Sequence, residues 1–135
     1  MTRTTLFAAL GTLMLAGCMT GDDTAARLPG DEWRIEDIAG RGVIDNSPAS
    51  LVFLPDGQLA GNASCNRLIG SYEADGDALT LNLAGTTMML CPEALMEQER
   101  RLLDLLANVK AYGIDDTDAL ILETSDGETI IARRR

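Results

Sequence analysis

Histidine is absent from the 135-residue chain, and its aromatic residues amount to one tryptophan, two tyrosines and two phenylalanines. Without an imidazole, nucleophilic machinery of the Ser-His or Cys-His kind cannot be assembled in its usual form. A zinc site is not expected either, because only three cysteines are present and no histidine can complete a ligand set with them. So few aromatic rings leave little with which to line an apolar ligand cavity. None of the glycines is arranged as a phosphate-binding loop or a dinucleotide fingerprint. Basic residues are also scarce, 11 Lys and Arg against 21 Asp and Glu, for a net charge of −10. That balance lacks the cationic footprint of a nucleic-acid binder and the polybasic patch of a membrane-surface protein. Its simplest use is solubility. Neither a cofactor nor a catalytic residue is expected.

What is present begins with "MTRTTLFAALGTLMLAGCMT". Arg3 supplies a positive start, Leu6 to Leu15 an apolar stretch too short to cross a bilayer comfortably, and Leu15-Ala16-Gly17-Cys18 the small residues a signal peptidase needs. With the cysteine directly after the cleavage point, the arrangement resembles a bacterial lipobox, in which Cys18 carries the lipid. Several acyl chains at about 0.8 kcal/mol per buried methylene would give a lasting attachment. The expected division is a signal peptide over 1–17, the lipidated cysteine and a flexible tether over 18–30, and one domain over 31–135. Cys18 would join the protein to the membrane of the cell envelope. Met19 after it, rather than Asp, favours the outer membrane facing the periplasm.

In that oxidising compartment Cys65 and Cys91 remain, and two such cysteines most often form a disulfide. The alternative is two buried free thiols, since cysteine also behaves as a small hydrophobe. The rest reads as short strands divided by turns. Trp33 and Ile35 alternate with polar neighbours, Leu51 to Leu54 form an apolar run, and the turns Pro55-Asp56-Gly57, Asp75-Gly76 and Asp126-Gly127 separate further strand-like segments. Pro92 to Val109 changes to a helical period, with Leu95, Leu102, Leu106 and Val109 on one stripe and Glu97, Arg101 and Asp104 opposite. The fold class is therefore α+β: a curved antiparallel sheet or small barrel with one packed helix. The Arg133-Arg134-Arg135 end reads as a frayed tail. Asp115, Asp116 and Asp118 read as a solvated turn, and Asn62-Ala63-Ser64, though a glycosylation sequon, as backbone capping. Met88 and Met89 read as core filler rather than copper ligands.

The ordered residues Gly61, Cys65-Asn66, Gly70, Tyr72, Thr86-Thr87-Met88, Cys91, Met96-Glu97 and Tyr112-Gly113-Ile114 resemble the META domain, also called the HslJ family. The resemblance covers about residues 31–132. Ser64 stands where the family commonly has glycine, and Thr87 where an arginine is frequent. The resemblance implies a small α+β fold and an envelope lipoprotein with no established reaction, linked in some members to heat induction and antibiotic tolerance. On this reading the chain is a non-catalytic envelope lipoprotein that binds a protein partner or supports the outer membrane under stress. Asn66, Arg67 and Tyr72 are its candidate recognition surface. The alternative is a carrier or sensor holding an apolar ligand between sheet and helix.

Overall fold

The computed structural model describes residues 27–135. Among these residues, nine strands and one complete helix follow one another: β1 (Glu32–Ile38), β2 (Arg41–Gly42), β3 (Ser50–Phe53), β4 (Gln58–Asn62), β5 (Arg67–Asp75), β6 (Ala78–Thr86), α1 (Glu93–Leu106), β7 (Val109–Ile114), β8 (Ala119–Thr124) and β9 (Thr129–Arg134). Sequential strands from β3 to β9 pair antiparallel in a meander. β1 closes the circle, lying against β3 through Arg34↔Ser50 and against β9 from Trp33↔Arg134 to Ile38↔Ile130. The result is a closed eight-stranded barrel, with β2 as a short hairpin partner at the end of β1.

Eight strands enclose a space that side chains can fill, and the alternation within each strand supplies them. Trp33, Ile35, Leu51, Phe53, Leu59, Leu68, Leu79, Leu120, Leu122 and Ile130 are all essentially inaccessible to water. A bulge between Ile35 and Asp37 shifts the alternation by one residue, so that Ile38 rather than Asp37 faces inward. Gly61 and Gly70 have a different task. A Cβ on Gly61 would stand 2.1 Å from the Ser50 carbonyl oxygen, and one on Gly70 2.3 Å from that of Asn82. Only glycine lets these strands approach so closely.

The apolar period of α1 buries Leu102 and Leu106 completely, with Leu105 beside them. Helix geometry ends at Leu106, three residues before the predicted limit. The Asn108 amide donates to the Asp104 carbonyl at 2.8 Å, and Val109 begins β7. Val109 is buried as expected, but from a strand, where its branched side chain fits better. Among the described residues no helix is long and apolar enough to cross a membrane.

Two boundaries differ from those expected. Leu28 is fully buried in the core, its carbonyl accepts the Trp33 indole N–H at 3.0 Å, and the Gly30 N–H donates to the Phe53 carbonyl. The folded part therefore includes residues assigned to the tether through Gly30. The terminal arginines are not a frayed tail. Arg133 pairs with Glu36, Arg134 pairs with Asp31 and lies over the Trp33 ring at 4.9 Å, and Arg135 reaches Glu32. Barrel closure brings them onto β1 and the residue before it, which carry the acidic partners. Cys18 and the signal segment lie outside the described residues.

Candidate functional site

Strand directions gather the β4–β5 turn, the end of β6, the β2–β3 loop and the β8–β9 turn at one end of the barrel, and α1 lies against this end. Cys65, in the β4–β5 turn, is joined to Cys91, just before α1, with 5.9 Å between their α-carbons. The bridge thus ties the turn directly to the approach of the helix.

Beside it a buried polar network fixes the helix face. Glu99 is 5% exposed, yet its carboxylate is well satisfied. One oxygen accepts the backbone N–H groups of Cys65 at 2.9 Å and Asn66 at 2.7 Å, and the other accepts the Asn66 side-chain amide at 2.7 Å. Burial alone pushes the Glu99 carboxyl up, but the side-chain and backbone hydrogen bonds of Asn66 and that of Cys65 outweigh it, holding the group below its ordinary 4.5. The Asn66 side-chain oxygen in turn accepts the Thr87 hydroxyl at 3.0 Å and the Met89 N–H at 2.6 Å. One residue earlier on α1, Gln98 donates to the hydroxyls of Ser47 and Ser64 and accepts the Ile44 N–H. Gln98, and Glu99 through Asn66, connect α1 to two segments distant in sequence, 44–47 and 64–66, and to residues 87–89 just before it.

This network also accounts for the two departures from the family pattern. Ser64 has φ of 124°, in the region that favours glycine. It accepts that conformation while its hydroxyl receives the Gln98 amide. Thr87 accepts the Arg67 N–H through the same hydroxyl that bonds Asn66.

The latch holds up an apolar tip. Met88 and Leu90 are 94% and 95% exposed, Met89 is half exposed, and Ile69 on the outer face of β5 is 61% exposed. Ile69 lies opposite Gly85, which has no side chain to cover it. A mostly apolar cleft of about 350 Å³ opens there, bordered by Arg67, Thr86 and Thr87. Met88 and Met89 are therefore not core filler: the short path from β6 to the bridged Cys91 holds them outside the barrel.

Asn66, Arg67 and Tyr72 do not share a face. Asn66 is buried and its side chain is committed to the latch. Tyr72 points inward, edge-on to Phe53, and donates its hydroxyl to the Leu54 carbonyl at 2.7 Å. Burial, and then the Asp56 charge, raise its pKa. Arg67 alone stands in solvent, beside the apolar tip. At the opposite end Asp115 organises the β7–β8 turn by accepting the Thr117 hydroxyl and the N–H groups of Thr117 and Ala119, which lower its pKa. Among the described residues no group of His, Cys, Asp and Glu is placed to hold a metal ion.

Sequence reasoning does not single out Glu99 and Gln98, although a signal is there. Leu95, Glu99, Leu102 and Leu106 follow a helical stripe, so Glu99 occupies a core-facing position. A carboxylate at such a position needs a partner, and Asn66 in the neighbouring turn supplies it.

A closed antiparallel barrel with a single latched helix defines a small α+β module. The chain belongs to the META domain family, whose model matches residues 26–135. The same fold is seen in an NMR structure of a protein from Burkholderia xenovorans, 22% identical, with a TM-score of 0.66 over 100% of this chain and 99% of that one. A crystal structure of a DUF4847 family protein from Bacteroides vulgatus is 17% identical, with a TM-score of 0.61 over 78% of this chain and 92% of that one. A further NMR structure is 26% identical, with a TM-score of 0.62 over 82% and 93%. No curated protein matches this chain.

Proposed function

We propose that this META domain protein is a non-catalytic lipoprotein, held by lipid at Cys18 in the outer membrane and facing the periplasm, that docks an envelope protein through Met88, Met89, Leu90 and Ile69. The observation that carries the reading is the exposure of Met88 and Leu90, 94% and 95%, on a tip that the Cys65–Cys91 bridge and Asn66 hold in place. Clustered exposed apolar side chains favour association, and a prearranged surface loses little entropy on binding.

The position of the anchor supports a protein partner over the anchoring bilayer. Arg27 lies at the far end of the barrel, where its side chain meets Asp118 and its carbonyl accepts Arg134. The tip lies at the opposite end of the barrel from Arg27, so a domain attached through that end presents the tip away from the bilayer. The alternative carrier reading has less support, since Leu102 and Leu106 pack directly onto the barrel side chains where its ligand would lie.

A photo-crosslinking residue at Met88 in the full-length protein in living cells tests this. The expected result is a discrete crosslinked protein that is lost when Ile69→Asp or Leu90→Asp is added, and that a crosslinker at Asp116, on the far turn, does not produce. Crosslinking to lipid alone, or a product indifferent to both aspartates, overturns the docking role. Cys18→Ser should abolish acyl labelling and leave unprocessed precursor; normal processing of that variant overturns the anchor.

A further inference from the structure

A second surface, next to the apolar tip across the Asn62↔Arg67 pair, has the chemistry of a ligand site. Cross-strand register sets Arg34 of β1 opposite Ser50 of β3, and Ser50 opposite Asn62 of β4, in one polar row. The β2–β3 loop rises beside the row with Asn46 and Pro48, and Glu32 borders the other side, enclosing a cleft of about 540 Å³. Small-molecule sites commonly fall between about 300 and 1,000 Å³.

Two arginines line this cleft: Arg135, which meets Glu32 at 3.6 Å, and Arg34, which has no ion-pair partner among the described residues. Arg133, Arg134 and Arg135 nearby each meet a carboxylate. Arg34 faces Arg133 directly across the β1–β9 register, and among the described residues its side chain makes no ion pair or hydrogen bond. Like charges opposite each other weaken a sheet, and a chain of net charge −10 has acidic residues to spare. Asn62 adds direction to the site. Its oxygen accepts the Ser64 N–H at 2.9 Å, which leaves its amide N–H groups as donors toward the row. Ser50 contributes a hydroxyl that can donate or accept.

We infer that this cleft binds a small ligand bearing a carboxylate, with the carboxylate on Arg34 and its neighbouring hydroxyl or amide groups on Ser50 and Asn62. The planar guanidinium matches a carboxylate through two parallel hydrogen bonds. Glu32 on the wall and the acidity of the whole chain favour a single negative charge over a dianion. Neighbouring strands lie about 4.8 Å apart, so the row from Arg34 to Asn62 suits a uronic acid or the carboxyl end of a short peptide. The site shares no lining residue with the apolar tip, although Asn62 and Arg67 are cross-strand neighbours.

The test is an NMR titration of the full-length protein in detergent micelles with sodium D-glucuronate, N-acetyl-diglycine, D-glucose and inorganic phosphate at matched ionic strength. At least one carboxylate should shift the backbone amides of Arg34, Ser50 and Asn62 saturably, with glucose at least tenfold weaker. Response to glucuronate alone assigns the site to an acidic sugar, and response to the peptide alone to a chain terminus. Arg34→Gln should weaken binding at least tenfold without lowering the melting temperature, and Arg34→Lys should restore part of the binding. The inference is overturned if neither carboxylate saturates, if phosphate binds tighter than both, or if Arg34→Gln and Ser50→Ala both leave the affinity unchanged.

Discussion

Both ends of the barrel are tied by charged and polar side chains, but at the α1 end these groups are buried, whereas at the end carrying Arg27 they stand in water. Glu99, 5% exposed, accepts three hydrogen bonds beside a disulfide. Asp118 and Arg27 form an ion pair with side chains 71% and 42% exposed. A hydrogen bond to a buried charge contributes about 1.5–3 kcal/mol, and losing it strands a donor. An exposed ion pair contributes about 0–1 kcal/mol. The number of polar links at each end therefore says little about which end holds the fold. The structure assigns that role to the latch, which also holds the proposed docking tip.

The largest expected effect comes from removing the bridge. Closing a loop between residues 26 apart in sequence stabilises by about 3–4 kcal/mol on the chain-entropy account. A domain of this size shifts its melting temperature by about 4–8 °C per kcal/mol. Reduction, or Cys65→Ser, should therefore lower the melting temperature by more than about 10 °C, and adding Cys91→Ser should contribute little more. Non-reducing unfolding with thiol counting and thermal scans of the full-length protein check this. A melting temperature indifferent to reductant would remove the covalent part of the contrast between the two ends.

Glu99→Gln comes next. The new amide turns a donor toward one of three donors, so at least one hydrogen bond is lost, at about 2 kcal/mol. The same variant has a signature in pH. Because the folded Glu99 pKa lies below 4.5, its contribution is complete above that value and is lost as pH falls through the folded pKa. Urea melts from neutral pH downward should therefore show a shallower acid loss in Glu99→Gln than in the parent, with the lowered Asp115 pKa supplying part of the remaining slope. Parallel pH profiles for the two proteins would show that Glu99 carries no charge-dependent stability.

Ser64→Gly sharpens the latch from the other direction. The strained φ costs on the order of 1–3 kcal/mol, while the hydrogen bond from Gln98 is worth about 1 kcal/mol and Ser47 still receives the same amide. Glycine's greater unfolded-state freedom offsets about 0.5–1 kcal/mol of the gain. The expected net effect is a small stabilisation, under about 1 kcal/mol, in chemical denaturation.

Much of this architecture is legible in the chain. Alternation of apolar residues and the Asp-Gly turns place most strands, because each depends on neighbours a few residues apart. The predicted helix runs three residues too far because Val109 continues the apolar stripe, and periodicity cannot tell a last helical turn from a first strand residue. The arginine terminus reads wrongly as a tail because its partners, Asp31, Glu32 and Glu36, are roughly a hundred residues earlier and meet it only through closure. The pairing of Cys65 with Cys91 reads from the sequence as one of two outcomes, a bridge or two buried thiols, and the role of Asn66 depends on Glu99, which reads as an ordinary helix carboxylate until the stripe is counted. That difference has a physical basis: strand identity is a local pattern, whereas the latch is a meeting of distant segments.

The smallest effect is expected at the exposed end, from replacing Asp115, Asp116 and Asp118 together with asparagine. After Asp115→Asn the side-chain oxygen can still accept the N–H groups of Thr117 and Ala119, so the turn keeps its geometry. Position 118, with φ of 60°, suits asparagine as well as aspartate. The lost ion pair to Arg27 is solvent-exposed and contributes at most about 1 kcal/mol, while three fewer negative charges relieve repulsion in a chain of net charge −10. These terms oppose each other, and the triple variant should lie within about 0.5 kcal/mol of the parent near neutral pH, with crosslinking at Met88 unchanged. Calcium should leave the melting temperature of both proteins the same. A loss above about 2 kcal/mol would mean that the water-facing end is also held by its polar groups, and the contrast with the latch would fail.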